Sequence, residues 1–349
     1  LTEFDDKRRT IHDVAKAAGV SISTASNALN GTGRTNAKTV EKVRRVAEEI
    51  GFRPNALARG LLTKRSHAIG MLTNDTYGRL TLPMAAGVSE VLVDHGVSVF
   101  LCATNNDPRL ARLHMESLRD RQVDGIIFTA TRLDQKPPAE LANLNIPIVY
   151  VFAEGPPESV TFIPDDAQGA RLAVDHLKSI GRSTIIHITG ESGYRAAQIR
   201  AQAYRDEIDG SGTVMFGEWS EEWGREAVEA VFSKSDKSPG EIPDAIFCGS
   251  DEIARGAIDA LRDMDVRVPE DVAVMGFDNW EVVARQTRPP LTTIDMELKE
   301  LGHQAGLAIL ALSKGQPVTA GSIKLPCSLI VRQSAGVVEN PQDPPTPRN

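Results

Sequence analysis

Eight short apolar runs, arranged as two sets of four, constrain this chain more tightly than any other feature. The first set reads AIGMLT, VSVFLC, DGIIFT and IPIVYVF, and the second TIIHIT, TVMFGE, DAIFCG and DVAVMGF. Helical stretches separate them, near 81–95 and 108–122 in the first set and near 167–180, 196–208, 222–232 and 251–264 in the second. A strand that is apolar along its whole length is buried on both faces, and alternation with helices gives parallel, doubly wound sheets. Two such sets, roughly 100–130 residues each, predict an α/β body of two similar lobes with a cleft between them. With 349 residues, 41% of them hydrophobic, the chain can fill both cores.

The first 66 residues follow a different pattern. Thr10 can cap a helix over Ile11–Ala18, with Asp13 in its first turn and Gly19 ending it. Ser21 can cap a second, Ile22–Asn30. Asn36 starts a third, in which Val40, Val43, Ala47 and Ile50 fall at helical spacing before Gly51. Pro54 and Asn55 then break the chain ahead of ALARGLLTKRS. The expected layout is an all-α headpiece (1–53), a linker (54–66), the two-lobed body (67–336) and a Pro-rich, disordered tail (337–349) without the leucine heptads of a coiled coil.

The net charge of −8 conceals an asymmetry. Residues 1–65 hold 13 Lys and Arg against 7 Asp and Glu, whereas the remainder holds 26 against 40. A basic head on an acidic body points to an anionic partner for the head. No run of about 18 apolar residues exists, so no membrane span is expected. The polar start LTEFDDKRRT lacks a signal-peptide core, which points to the cytoplasm. Cys102, Cys248 and Cys327 stand apart with no CxxC, so three buried thiols are expected, with no metal and no cofactor. GxSxG is absent, and GTGRTN lacks the third glycine of a dinucleotide-binding turn. No catalytic constellation emerges, so an enzyme is not expected.

The second helix poses the sharper question, because residues 21–30 contain no Lys, Arg, Asp or Glu. Stepping about 100° per residue from Ile22 gathers Ser23, Ser26, Asn27 and Asn30 on one side. Ala25, Ala28, Leu29 and Ile22 itself fall on the other. Ser and Asn are poor helix formers, and an ordinary exposed face would favour Lys and Glu. Short hydroxyls and amides suit base edges and phosphate oxygens and allow close approach within a major groove. With Gly19 in the turn, the pair of helices reads as a helix-turn-helix. The alternative is a plain solvent face on a small bundle.

Taken together, TIHDVAKAAGVSISTASNALNG and VRRVAEEIGFRPNALARGL resemble the headpiece of the lactose-repressor (LacI/GalR) family of bacterial transcriptional regulators. The resemblance continues in order through IGRSTIIHITG, PDAIFCGSDEIARGAI, VRVPEDVAVMGFDNW and PPLTTIDM, covering about residues 10–335. It implies that Ile22, Ser23 and Asn27 read bases, that Ser21, Thr24, Ser26 and Asn30 hold phosphates, and that Thr10 belongs to the same DNA-facing set. Many members carry Arg where this chain has Asn27, and often Val where it has Ala25. Arg favours guanine and Asn adenine, so a changed operator half-site is expected. Residues 55–62 resemble the hinge helix that forms over the operator, with Leu61 as the minor-groove wedge, Ala58 allowing close approach, and Arg59 facing phosphate or groove. Asn55 opens that segment, and Gly60 weakens it by about 1 kcal/mol relative to Ala. A flexible linker is the alternative.

In the body the resemblance implies an effector held between lobes like those of periplasmic sugar-binding proteins. Arg200, ahead of Tyr204, and Asp278 match ligand-binding positions, and together they suit vicinal hydroxyls. Trp219 matches an aromatic that covers one ligand face. Ser250 and Asp251 match an Asn-Asp pair, while Asp75, Arg79 and Thr81 match the contribution of the first lobe. Phe152 stands where the family's namesake has a carboxylate, pointing to a different or less hydroxylated ligand. Plainer roles remain open: a helix cap for Asp278, a surface ion pair for Arg200, core packing for Trp219. The function so implied is a sequence-specific repressor acting as a homodimer on double-stranded operator DNA and controlled by a small carbohydrate. Competing readings are a solute-binding protein without DNA function and an α/β enzyme with an appended helical domain.

Overall fold

Helices α1 (Ile11–Ala18), α2 (Ile22–Asn30) and α3 (Ala37–Glu49) form a small N-terminal bundle. The structure, a computed structural model, describes residues 9–31, 33–52, 65–75, 77–210, 212–233 and 242–336. Gly19, at φ 65°, closes α1: its N–H reaches the Lys16 carbonyl and that of Val20 the Ala15 carbonyl. This left-handed turn frees the chain to restart at once as α2. Ser21 caps α2 by accepting the Thr24 N–H, and Asn36 caps α3 by accepting that of Lys38. Val14, Ala18, Ala25, Ala28 and Val43 are fully buried where the three helices meet. Chain contacts separate a unit of residues 1–67 with 121–123 from a second unit holding the rest.

The second unit contains twelve strands among the described residues: β1 (Ala68–Thr73), β2 (Ser98–Ala103), β3 (Gly125–Thr129), β4 (Ile148–Val151), β5 (Val160–Pro164), β6 (Ile185–Thr189), β7 (Val214–Phe216), β8 (Ala245–Cys248), β9 (Ala273–Asp278), β10 (Thr292–Asp295), β11 (Gly321–Leu325) and β12 (Ser328–Ile330). Its helices are α4 (Thr81–Val93), α5 (Pro108–Asp120), α6 (Asp166–Ser179), α7 (Arg195–Glu207), α8 (Glu221–Phe232), α9 (Asp251–Asp263), α10 (Glu281–Ala284) and α11 (Leu298–Ser313). The first lobe's sheet has the order β11-β5-β4-β3-β1-β2 and the second's β12-β10-β9-β8-β6-β7. All pairings are parallel except β10 with β12. The same 5-4-3-1-2 order therefore occurs twice. In each lobe the first strand sits where the winding reverses, and the carboxyl ends at such a point leave a crevice for ligand.

The eight apolar runs supply β1–β4 and β6–β9. The structure adds β5 and β10 as fifth strands, β11 and β12 as sixth strands, and the long helix α11. Three connections cross between lobes: from β5 into α6, which packs on β10 and β12; from β10 into α11, which packs on β3, β4 and β5; and from β11 to β12. Polar bonds tie the crossings together. Gln168 accepts the Cys327 N–H at 2.8 Å and donates to the Cys327 carbonyl at 3.3 Å, and Ser328 donates to Glu297 at 2.6 Å. Cys102, Cys248 and Cys327 are all buried free thiols.

Close helix pairs brace both lobes. A Cβ on Gly87 of α4 would collide with the Lys299 carbonyl of α11, and one on Gly302 with that of Met84. Gly224 of α8 and Gly256 of α9 face the carbonyls of Ile253 and Glu221 in the same manner. Gly87→Ala or Gly256→Ala should each cost about 2–3 kcal/mol in urea unfolding by forcing the helices apart. Gly193→Ala, which meets open space, should stay within about 0.5 kcal/mol of the wild type.

Candidate functional site

On α2, Ala25 and Ala28 face the bundle core and Leu29 is half-buried, while Ser23, Asn27 and Asn30 are exposed and Thr24 and Ser26 half-buried. Ile22 departs from its position on the helical wheel: it is 44% exposed. As the first residue of the helix it precedes the turn that the core covers. It therefore joins the exposed polar side as an apolar contact point. The Ser21 hydroxyl lies 2.9 Å from that of Ser23 and 2.7 Å from that of Thr24, and Asn30 donates to Ser26 at 3.2 Å. Exposed bonds of this kind can be exchanged for others at little cost. Thr10 differs, because its N–H and hydroxyl both donate to Asp13, at 2.8 and 2.9 Å. These bonds lower the Asp13 pKa and leave Thr10 no donor for a phosphate. Asn55, Ala58, Arg59 and Leu61 lie outside the described residues.

In the body, a cavity of about 330 Å³ opens between the lobes at the carboxyl ends of the strands. Of the nine expected effector positions, six line it: Asp75, Arg79, Phe152, Arg200, Trp219 and Asp278. Phe152 and Asp278 stand at φ 51° and 111°, a region that non-glycine residues occupy only when their surroundings enforce it.

Arg200 is the anchor of this wall. At 3% exposure it bonds Asp166 through Nε at 2.8 Å and Nη2 at 2.7 Å, and the Gly249 carbonyl through Nη1 at 2.6 Å. Its guanidinium lies 3.6 Å from the Phe277 ring centroid, and Nη1 is 3.8 Å from Asp278. Burial raises the pKa of the Asp166 carboxyl while the Arg200 charge pulls it down. Asp166 opens α6 immediately after the first crossing. No local motif marks it, so only the fold reveals it as the partner of Arg200.

Arg79 reaches from the first lobe to the second. It donates through Nη1 to Glu252 at 2.6 Å and through Nη2 to Asp278, and its guanidinium lies 5.0 Å from the Trp280 ring centroid. Two further contacts bridge the lobes. Arg132 lies over the Tyr194 ring at 3.8 Å and donates to the Gly193 carbonyl at 3.2 Å, and Arg195 pairs with Glu154. Tyr194 also meets Trp219 edge-on at 5.8 Å. Among the lining residues, Arg132, Asp134, Tyr194, Arg195, Glu252, Trp280 and Met296 were not identified from sequence. Most stand just after a strand's carboxyl end or at the start of the following helix. That position was the available signal.

Three expected residues do not reach the cavity. Thr81 is 1% exposed and its hydroxyl bonds that of Thr73 at 2.7 Å. Ser250 caps α9 by accepting the Ile253 N–H at 3.2 Å. Asp251 accepts the Thr293 hydroxyl at 2.5 Å and the Trp280 N–H at 2.6 Å. Burial pushes its pKa up to about 7, against the pull of those two bonds. Ser250 thus serves as a helix cap, and Thr81 and Asp251 tie their helix starts to neighbouring strands and loops inside the lobes. Asp75 combines both roles: it lines the cavity and also accepts the N–H groups of Gly78, Leu80 and Thr81 at 2.8–3.0 Å, fixing the loop that carries Arg79.

Residues 10–55 match the family of bacterial regulatory proteins known as lacI, and residues 174–335 match a periplasmic binding protein-like domain. The chain is 32% identical over 339 residues to the transcriptional regulator DegA of Bacillus subtilis (strain 168), covering 94% of this chain and 98% of DegA. It belongs to the lacI family. It is accordingly a DNA-binding transcriptional repressor with a helix-turn-helix and a periplasmic-binding-protein-like effector domain. Another relative, the repressor PurR of Haemophilus influenzae (strain PittEE), is 32% identical over 85% of this chain and 88% of its own length. The solved Lac repressor dimer bound to operator and the anti-inducer ONPF superposes with a TM-score of 0.73 at 27% identity, covering 95% of this chain and all of that one. The CelR–cellobiose complex gives a TM-score of 0.66 at 25% identity, over 94% of this chain and all of that one.

The two arginines of the cleft should differ sharply in stability. Arg200→Ala leaves the Asp166 carboxylate buried and unpaired and should cost about 3–5 kcal/mol in urea unfolding. Arg79→Ala, at a partly open pair, should cost about 1 kcal/mol or less. Equal costs would contradict the assignment of Arg200 as the anchor.

Proposed function

We propose that this lacI-family repressor acts in the cytoplasm as a homodimer on a pseudo-palindromic operator, with a carbohydrate bound between its lobes setting its affinity for DNA. The carrying observation is the cavity itself. Its walls place the rings of Phe152, Tyr194, Trp219 and Trp280 beside guanidinium and carboxylate groups. Aromatic faces match the C–H faces of a sugar ring, and paired Arg and Asp match its hydroxyls. The solved relative bound to cellobiose supports this class of effector. All the named relatives above are transcriptional regulators, which supports regulation rather than catalysis. Among the described residues no helix is long and apolar enough to cross a membrane.

In this reading residues 1–53 are the headpiece, 54–66 the hinge, and 67–336 the effector and dimerisation body. Ile22, Ser23 and Asn27 read bases. Ser21, Thr24, Ser26 and Asn30 position the helix on phosphates, and Leu61 wedges the minor groove beside Asn55, Ala58 and Arg59. A second copy covers the edge of β2, where Phe100 and Leu101 are 40% and 49% exposed and Leu113 on the neighbouring α5 is 50% exposed. An exposed apolar sheet edge is a liability that pairing removes. Two-fold symmetry then sets the spacing of the operator half-sites. Effector binding changes the angle between the lobes and so whether the two hinges can pair.

Fluorescence anisotropy on a selected operator, with and without sugars, tests the reading; indifference to sequence at near-physiological salt would overturn it. Site selection with the wild type should return adenine opposite Asn27, and Asn27→Arg should shift the choice to guanine by about 1–3 kcal/mol. Leu101→Glu should yield monomers in sedimentation and weaken operator binding without lowering the unfolding midpoint.

A further inference from the structure

We infer that the cleft takes an uncharged, hydroxylated ring and excludes anionic and cationic derivatives of it, because its ionic groups are already committed to partners, those of Arg79 and Arg195 across the lobes. This rests on the reading of the cleft as the effector site and narrows the class of effector. Four guanidiniums and four carboxylates line the cavity, and two of the guanidiniums hold further carboxylates behind it, Glu154 and Asp166. Each arginine is taken. Arg79 holds Glu252 and Asp278, Arg132 holds Asp134 through two nitrogens, Arg195 holds Glu154, and Arg200 holds Asp166. Each lining carboxylate is engaged as well, Asp75 by three backbone N–H groups.

A phosphate or carboxylate entering this cavity would find no guanidinium without a competing acid beside it. It would have to break a pair and leave Glu252, Asp278 or Asp134 facing the ligand's own negative charge. An ammonium group meets the converse obstacle at Glu252, Asp278 and Asp134, each of which has a guanidinium beside it. Neutral hydroxyls face neither penalty. A guanidinium has five N–H groups and a carboxylate about four lone-pair positions, so a pair that cancels in charge keeps spare donors and acceptors. The aromatic walls add attraction for a ring face without adding charge. Glu252 is the adjustable member: its side chain is 26% exposed, and it faces Arg79 from the opposite lobe.

The test reads tryptophan fluorescence of the full chain. All three tryptophans (Trp219, Trp223 and Trp280) lie in the body, and two line the cavity, so ions bound at the basic headpiece stay silent. In the first arm glucose and cellobiose are compared with glucose 6-phosphate, glucuronate and glucosamine. A response confined to uncharged sugars is expected, and a charged derivative binding as tightly as its parent would overturn the inference. If none of these sugars binds, the carbohydrate reading fails on this panel, and the inference is judged by the second arm. There inorganic phosphate is titrated into wild type and Glu252→Gln, which frees one terminal nitrogen of Arg79. Phosphate should bind the variant at least about tenfold more tightly than wild type, and adding Arg79→Gln should abolish the gain. Equal phosphate responses in wild type and Glu252→Gln, including none in either, would overturn the proposal.

Discussion

The buried pair of Arg200 and Asp166 is the interaction on which the body's organisation turns. Burying a lone guanidinium is prohibitive, and the cost is met only by surrounding it with acceptors. Here those acceptors come from different parts of the fold: the start of α6 just past the first crossing, the Gly249 carbonyl after β8, and the Met296 sulfur at 3.6 Å in the second crossing. One side chain thereby fixes three backbone segments at the base of the cleft. Because they include two of the three crossings, the pair holds the place where the lobes join while leaving the mouth of the cleft free to move.

The mouth is held differently. Arg79 with Glu252 and Asp278, Arg132 with Tyr194, and Arg195 with Glu154 span the lobes through groups that are partly exposed. Contacts of this kind are individually weak and easily exchanged with water or ligand. A rigid base and an exchangeable mouth form a two-state element that a ligand can bias by small differences in contact. The helix pairs bridged by glycines, α4 with α11 and α8 with α9, keep each lobe rigid, so such a bias moves lobes as units rather than dissipating within them.

The headpiece uses a different economy. Its core is built largely of Ala and Val, which lets three short helices approach closely and leaves the outer side of α2 to hydroxyls and amides. In the absence of DNA these groups bond to one another, as Ser21 does with Ser23 and Thr24. The acidic body and basic head carry opposite charge, so long-range attraction to a polyanion acts on the head alone.

The sequence by itself determined α1 and α2 to the residue, eight of the twelve described strands, the two-lobed class and the uncharged side of α2. All of these follow from local rules: caps, glycine turns and apolar runs are written in consecutive residues. It did not disclose β5, β10, β11, β12 or α11: β11 and β12 are short edge strands whose residues are half-buried or exposed and form no apolar run, and β5 and β10 are defined by the strands they pair with. Ile22 was misplaced by the helical wheel because a wheel has no ends, whereas a packed helix does. In the cleft, matching positions found Arg200, Trp219 and Asp278, but only the tertiary structure showed that Thr81, Ser250 and Asp251 turn inward as caps and buried bonds. It also supplied Asp166, Glu252 and Trp280 as their neighbours' partners. Charge pairing is a property of distance, and Arg79 lies 173 residues from Glu252 in the chain yet within a hydrogen bond of it in space.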